Sequence, residues 1–579
     1  MRSPAGVRNN TGAAFAAVLC TVAIAPFERV LIGIPGGFSL TTTEVAILGA
    51  LAAGLWMVGT SRGAAGAVPP IVGPGLALVA TVIVAALAAP LERGNALRFA
   101  GRLTAAALVA VVVAQAVDSE ARARVVVRTF VAVAVCVAVV AVLESAQVPW
   151  VMHALTAFRP GFHVVGGQLR ATSTLFYPTI ASMYLELAFA CGLWLLFSDG
   201  RREWPGTLVV FVALATIGTG IAATFTRAGL FGMAAALTIV GGVRIMRLGL
   251  ANAAVGRLAA LAAFIVTVVL ALHSPELLLS RISSEGSQAW YGARYEVPLT
   301  LDLDTGRTHQ IPITLTNTGS LTWDSTRQPA YAVSYHWLRA DSEAVVQFDG
   351  QRTPFAAPVS PGATVTMPVF VTAPGQPGTY TLVWDVVLES RAWLSTEGVP
   401  PAQTLVRVEG APASAVTTTM KRLPQAIARP GRLALWSAAL RITREHPLLG
   451  IGPDNYRHVY GRYLGLDRFD DRVHANDMYL EVLAGAGLPG FLALVWLLAA
   501  WGRALLRRCR DVPREAVMPA AAALAAWVMI AGHGLVDSFL SFTTTYLSFA
   551  IVLGLSFSRA WTSCGAPAFS AEPCEAESR

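Results

Sequence analysis

Gly206-Thr-Leu-Val-Val-Phe-Val-Ala-Leu-Ala-Thr-Ile-Gly-Thr-Gly-Ile-Ala-Ala-Thr224 carries no charged residue, with Arg201 and Arg202 ahead of it and Arg227 just behind. An apolar run of about 20 residues has the length of a helix crossing a bilayer, not of a buried strand. Working outward, runs of the same kind have cores at 11–26, 43–60, 70–90, 97–117, 125–144, 175–197, 228–243, 251–272, 477–500, 516–533 and 542–558, so the sequence predicts twelve membrane helices. No small-residue cleavage site follows the first run before Pro26 and Phe27, so it is read as a retained helix, not a signal peptide. Composition agrees. The chain is 55% hydrophobic and 13% charged, where soluble domains carry about a quarter charged residues, and its mean hydropathy is +0.57. A disordered chain, a fibrous repeat and a conventional soluble enzyme are excluded. The net charge of +8 is almost wholly arginine, Lys421 being the one lysine, which reads first as genome composition and only then as a sign of a partner. The six cysteines contain no CxxC pair, so neither a disulfide framework nor a zinc site is indicated.

Arginine placement predicts orientation, because short loops rich in Lys and Arg stay cytoplasmic. From a cytoplasmic N-terminus with Arg2 and Arg8, the inside loops carry Arg62; Arg122 and Arg124; Arg201 and Arg202; Arg244 and Arg247; then Arg503, Arg507, Arg508, Arg510 and Arg514. The short outside connections carry chiefly Arg29, Arg93, Arg159, Arg170 and Arg227. The expected fold is an all-α polytopic membrane protein in the cytoplasmic (inner) membrane, with both termini cytoplasmic. Helices one to nine fall within 1–272, helices ten to twelve within 477–558, and a cytoplasmic tail covers 559–579. The long outside segment changes character. Residues 295–409 alternate apolar and polar positions, as in Tyr380-Thr-Leu-Val-Trp-Asp-Val-Val-Leu388, between turn signals such as Asn317-Thr-Gly319 and Pro374-Gly-Gln-Pro-Gly378. Some seven strands predict an inserted all-β, immunoglobulin-like sandwich. Trp323, Trp337 and Trp384 are expected in its core; Trp393, in a loop, is the better sugar-stacking residue.

The segment 420–476 reads as an extracytoplasmic catalytic-type loop. It holds Arg432-Leu-Ala-Leu-Trp436 and Glu445-His-Pro-Leu-Leu-Gly-Ile-Gly-Pro-Asp-Asn-Tyr456, and runs into Val473-His-Ala-Asn-Asp-Met-Tyr-Leu-Glu-Val-Leu-Ala-Gly-Ala-Gly-Leu-Pro-Gly490. Upstream lie Arg170-Ala-Thr-Ser-Thr-Leu-Phe-Tyr-Pro178 and Thr224-Phe-Thr-Arg-Ala-Gly229. In this order the blocks resemble the O-antigen ligase and polymerase superfamily, over the whole membrane portion and excluding the sandwich. The resemblance implies a GT-C-like membrane glycosyltransferase that ligates or polymerises surface glycan linked to polyprenyl (undecaprenyl) pyrophosphate, on the outer face of the membrane. It further implies a glycan, lipid or protein acceptor. Many members read His-x-His-Asn-x-Tyr-Leu, where this chain has Asn476 at the second histidine and Asp477 at the asparagine. Thr172-Ser173-Thr174 also stands where a glycine is common.

A departing pyrophosphate accumulates negative charge, which either a divalent metal or fixed guanidinium groups can stabilise. The sequence shows no acidic cluster at the motif blocks, so arginine is favoured, with no metal or cofactor expected and with inversion at the sugar carbon. Arg227 and Arg432 are the candidate catalytic arginines, and Arg170 a candidate substrate-binding one. The plainer alternatives are that Arg227 snorkels to lipid phosphates and that Arg432 merely ends a surface helix. An acceptor hydroxyl needs a base, for which histidine is suited. His474 is the candidate, with Asn476, Asp477 and Tyr456 as substrate-binding neighbours; Asp477 is equally placed to cap the following helix. Gly450, Gly452 and Pro453 are assigned to a tight loop, and His533 and Asp537 to an interhelical polar contact. The rival readings are a protein O-oligosaccharyltransferase of the same superfamily, a transporter or lipid-glycan flippase, and a catalytically dead surface receptor. No nucleic-acid partner is indicated.

Overall fold

The computed structural model describes residues 4–34, 38–60, 69–159, 163–165, 168–197, 204–249, 252–273, 290–327, 329–389, 392–412, 422–423 and 430–562. Arg2, Arg62, Arg201, Arg202, Lys421, Cys564, Cys574 and the tail beyond Thr562 lie outside them. The helices are α1 (Pro4–Ile24), α2 (Thr42–Thr60), α3 (Val72–Leu87), α4 (Arg93–Ala116), α5 (Glu120–Ser145), α6 (Pro149–Leu155), α7 (Pro178–Phe197), α8 (Trp204–Ala223), α9 (Arg227–Leu248) and α10 (Asn252–Leu272). After the β region come α11 (Arg432–Glu445), α12 (Tyr456–Tyr463), α13 (Met478–Asp511), α14 (Val517–His533), α15 (Thr543–Ser556) and α16 (Arg559–Thr562).

Each of the twelve apolar runs falls on one of these helices. Among the described residues, seven are long and apolar enough to cross a membrane, and four more are apolar but shorter. The surface of the bundle is itself apolar, with Leu55 75%, Val209 68%, Phe231 68% and Met246 78% exposed. A soluble protein rarely leaves so much apolar surface uncovered, whereas lipid is a matching solvent for it. At the centre runs α7, buried along nearly its whole length and packed against α5, α8, α9, α14 and α15.

The tenth run was expected to end at 500, but α13 continues to Asp511. Arginine is a good helix former and its long side chain reaches past apolar neighbours. Arg508 does so, donating to the Ser556 carbonyl. The helix is broken at Gly487, whose φ of +67° is open to glycine and costly for other residues. A Cβ there would stand 2.4 Å from the Leu448 carbonyl oxygen, so the break lets the 446–454 loop dock against the helix.

The connections meet in two groups. At one end, Ala171 N–H donates to the Ala223 carbonyl at 3.0 Å, Gln168 Nε2 donates to the Leu272 carbonyl at 2.9 Å, and His273 lies 2.9 Å from the Ala222 carbonyl. At the other, Arg247 donates to the Val512 carbonyl at 2.7 Å and to that of Arg510. The first group carries the motif blocks.

The β region contains β5 (Ala293–Glu296) to β14 (Ala402–Glu409), after two small hairpins, β1 (Val30–Ile34) with β2 (Phe38–Thr41) and β3 (His163–Val165) with β4 (Gln168–Arg170). One sheet runs β10-β8-β12-β14-β6, with β9 on β8 and β13 on β12; the other runs β11-β7-β5. The intervening members are β6 (Thr300–Asp304), β7 (Thr308–Asn317), β8 (Tyr331–Arg339), β9 (Val345–Gln347), β10 (Thr353–Pro354), β11 (Thr364–Thr372), β12 (Gly378–Leu388) and β13 (Ala392–Trp393). Both sheets contribute to one apolar core that also takes in Trp290 and Tyr291, ahead of the expected start at 295. Trp323 is 1% exposed and Trp337 and Trp384 are fully enclosed, the last two with their indole N–H groups donated to the Thr372 carbonyl and Thr404 Oγ1 at 2.9 Å. Trp393 is in β13 and not in a loop, and the Arg352 guanidinium lies 4.9 Å over its ring. That face is unavailable for sugar stacking.

Candidate functional site

Where the motif-bearing connections meet, a cavity of about 890 Å³ is lined by Arg170, Arg227, Arg432 and Asn476, with Phe231, Leu433 and Trp436 among its apolar walls. The sequence supplies each arginine from a different local structure. Arg227 is the first residue of α9 and Arg432 the first of α11. Both stand where unpaired helix N–H groups and the helix dipole already favour an anion. Arg170 ends the β3–β4 hairpin and is fixed by its Nε donating to the Thr224 carbonyl and its Nη2 to Thr226 Oγ1, each at 3.1 Å. Phe225, between those two threonines, adopts φ +50° and stacks on His273 at 4.3 Å. Asn476 is likewise left-handed, at φ +51°. Strained backbone therefore recurs in the turns that deliver residues to the cavity.

The segment after Arg170 is held from below. Glu144, fully buried in α5, accepts the backbone N–H of Thr172 at 3.0 Å and of Ser173 at 2.7 Å, and pairs with buried Arg159 at 2.5 Å. Ser173 takes φ +53°, a conformation that favours glycine; the carboxylate holds the turn in place.

The other candidate residues lie away from the cavity lining. Asp477 caps α13, its Oδ1 accepting the Leu480 N–H at 2.8 Å. Tyr456 donates its hydroxyl to the Leu435 carbonyl at 2.7 Å, tying α12 to α11, and burial pushes its phenol further up. His474 is buried with Nδ1 3.4 Å from Glu481 Oε1 and 3.9 Å from Asp454 Oδ1. Burial opposes its charge, but the hydrogen bond and charge of Glu481, then the charge of Asp454, outweigh it and hold the imidazole above its ordinary 6.5. Glu481 Oε2 also accepts the Ala475 N–H at 2.8 Å, and Asp454 pairs with Arg457 at 3.2 Å.

The sequence reading found no acidic cluster at the motif blocks, and here the structure corrects it. Asp454 and Glu481 belong to different blocks, and chain folding brings them to one histidine. One ligand atom from each of Asp454, His474 and Glu481 falls within 4.8 Å of the others, so among the described residues this triad is the group able to hold a divalent cation. The imidazole and Arg457 are the basic groups that face the two carboxylates.

One cavity residue was given only a structural role by the sequence. His533 ends α14 and lines the cavity with Asp537. Its Nδ1 lies 3.1 Å from both carboxylate oxygens of Glu186 in α7, so His533 makes an interhelical polar contact, while the Asp537 N–H donates to the His533 carbonyl at 3.0 Å. Ser182 donates to Glu186 Oε1 at 2.6 Å. The α9 glycines make room for this: a Cβ at Gly232 would stand 2.7 Å from Glu186 Oε2, and one at Gly229 2.0 Å from Ser182 Oγ. The available signal was Glu186 itself, a lone carboxylate inside the apolar run 175–197, since ionisable residues within membrane helices are expensive and mark function.

Residues 390–495 match the family model described as O-Antigen ligase. The match spans Arg432, Tyr456, His474, Asn476 and Asp477, while Arg170, Arg227, Glu186 and His533 fall outside it. No curated protein matches the chain.

Proposed function

From membership of the O-antigen ligase superfamily, which the match supports, we propose that the chain ligates or polymerises polyprenyl-pyrophosphate-linked glycan on the outer face of the cytoplasmic membrane. In this reading twelve helices cross the membrane, both termini are cytoplasmic, and the cavity and sandwich face outward. The arginine-rich ends of α9 and α13, remote from the cavity, support that orientation. The observation that carries the function is the gathering of Arg170, Arg227 and Arg432 around one cavity. Three guanidinium groups and two helix N-termini form a positive site for a pyrophosphate. Phe231 and Leu433, 68% and 59% exposed, give it an apolar lip along which a lipid tail can lie. The acceptor oxygen attacks the sugar carbon opposite the pyrophosphate, so a single displacement inverts it. His474, turned toward Glu481 and Asp454, serves in this account to hold the turn that presents Asn476.

The test is release of undecaprenyl pyrophosphate from lipid-linked glycan by the purified protein in liposomes, with and without a chelator. Release with glycan transfer, persisting in the chelator, supports the arginine account. Loss in the chelator transfers leaving-group stabilisation to a metal, with Asp454, His474 and Glu481 as its first candidate ligands. Movement of lipid-linked glycan between leaflets without release would identify a flippase, and label recovered on protein would identify the oligosaccharyltransferase reading.

A further inference from the structure

We propose that His533 is the general base of the arginine cavity, taking the acceptor hydroxyl's proton on Nε2, with Glu186 as its positioning residue. This rests on the glycosyl-transfer reading above. With Nδ1 facing the Glu186 carboxylate at 3.1 Å, the ring proton belongs on Nδ1 and the lone pair belongs on Nε2. Nε2 is buried and has no hydrogen-bond partner among the described residues, although His533 as a whole is only 4% exposed and lines a polar cavity. A buried polar atom without a partner is costly and uncommon, and an incoming hydroxyl supplies the missing one. A carboxylate on one ring nitrogen, with the other nitrogen unpartnered, is the arrangement that orients a histidine base and stabilises the imidazolium it becomes.

The charged groups around the ring suit that cycle. Glu186 faces it from α7, Asp537 follows it in chain, and Arg432 acts on it from α11; Arg170 and Arg227 share the cavity. The carboxylates favour the imidazolium, and the arginines favour returning its proton once pyrophosphate has gone. Asn476 cannot accept a proton at neutral pH, and His474 does not line the cavity, so His533 is the histidine in reach. The step balances. The acceptor oxygen forms a bond to the anomeric carbon and gives its proton to Nε2, while the bond from that carbon to the pyrophosphate oxygen breaks, its electron pair leaving with polyprenyl pyrophosphate.

The experiment measures release of undecaprenyl pyrophosphate in liposomes, with a total glycolipid extract of the source cells supplying donor and acceptor. If the wild-type protein releases none, the glycosyl-transfer reading itself fails. If it does, His533→Ala is expected to lower kcat about 100-fold to 10,000-fold, with added imidazole restoring part of it, since the cavity has room for the free ring. His533→Gln keeps a polar group against Glu186 and is expected to bind undecaprenyl pyrophosphate as the wild type does while remaining slow. Glu186→Gln should lower kcat and leave KM unchanged. Near-normal release by His533→Ala, a loss that imidazole leaves untouched, or a loss confined to Asp537→Asn would each overturn the assignment.

Discussion

Two buried histidines sit near the same end of the helix bundle, each against a glutamate, and they differ in what surrounds them. His474 has both Glu481 and Asp454 on Nδ1, with Arg457 on the far side of Asp454, and it does not line the cavity. His533 has one carboxylate, on Nδ1; its Nε2 lacks a partner among the described residues, and it lines the cavity that holds three arginines. A histidine held between two carboxylates away from the cavity serves to hold structure, whereas a buried nitrogen without a partner at the cavity gains on binding a ligand. Position in a sequence motif does not separate the two cases; the carboxylates around the ring and its place at the cavity do.

The largest expected effects fall on the cavity side. Arg432→Ala should reduce turnover about 100-fold to 1,000-fold, as does loss of one preorganised group facing developing charge. Arg432→Lys should not restore it, because an ammonium cannot reproduce a two-pronged grip on phosphate oxygens. A normal rate in either variant, measured in liposomes, would remove the arginines from the mechanism. Next comes the support beneath Arg170. Glu144→Gln takes the buried carboxylate from Arg159 and weakens the hold on Thr172 and Ser173, and should destabilise the protein by about 3–5 kcal/mol. Thermal unfolding in detergent reads it directly.

The helices were legible because membrane spans write their hydropathy in one continuous stretch, as in 206–224, with no long-range information required. The three arginines were legible because each sits inside a local block. Asp454 and Glu481 were not, since their convergence on His474 is set by the break at Gly487 and the docking of the 446–454 loop. Glu186 was visible as a carboxylate among apolar residues, yet its partner lies on a helix hundreds of positions later. In the sandwich, the alternation foretold strands and buried tryptophans, but not Arg352 covering Trp393, because cross-strand neighbours depend on register.

On the His474 side the expected signature is in stability and its pH dependence. His474→Gln should destabilise by about 3 kcal/mol at low pH, since removing the cation leaves Glu481 and Asp454 facing each other. The folded imidazole is held above its ordinary 6.5, so its contribution is fully present below pH 6.5 and fades as pH rises through the folded value. The gap between wild type and variant should therefore narrow from pH 6 toward pH 9. A gap that widens with pH would mean that the histidine is neutral in the fold and that the two clusters are more alike than their surroundings indicate.

The smallest effect tests whether the cavity turns carry strain. Ser173 is left-handed, and its Oγ is buried with no hydrogen-bond partner among the described residues. Glycine at this position would relieve a backbone penalty of about 1 kcal/mol and remove an unsatisfied hydroxyl worth about 1 kcal/mol. Against this stands the extra freedom of glycine in the unfolded chain, about 0.5–1 kcal/mol. Ser173→Gly should thus stabilise the protein by about 1 kcal/mol, with turnover unchanged, because the backbone N–H that Glu144 accepts is retained. Ser173→Ala separates the two contributions, since it loses the hydroxyl and keeps the strain. If glycine proves no better than alanine in thermal unfolding, the left-handed turn costs nothing here, and the strain argument for Phe225 and Asn476 weakens with it.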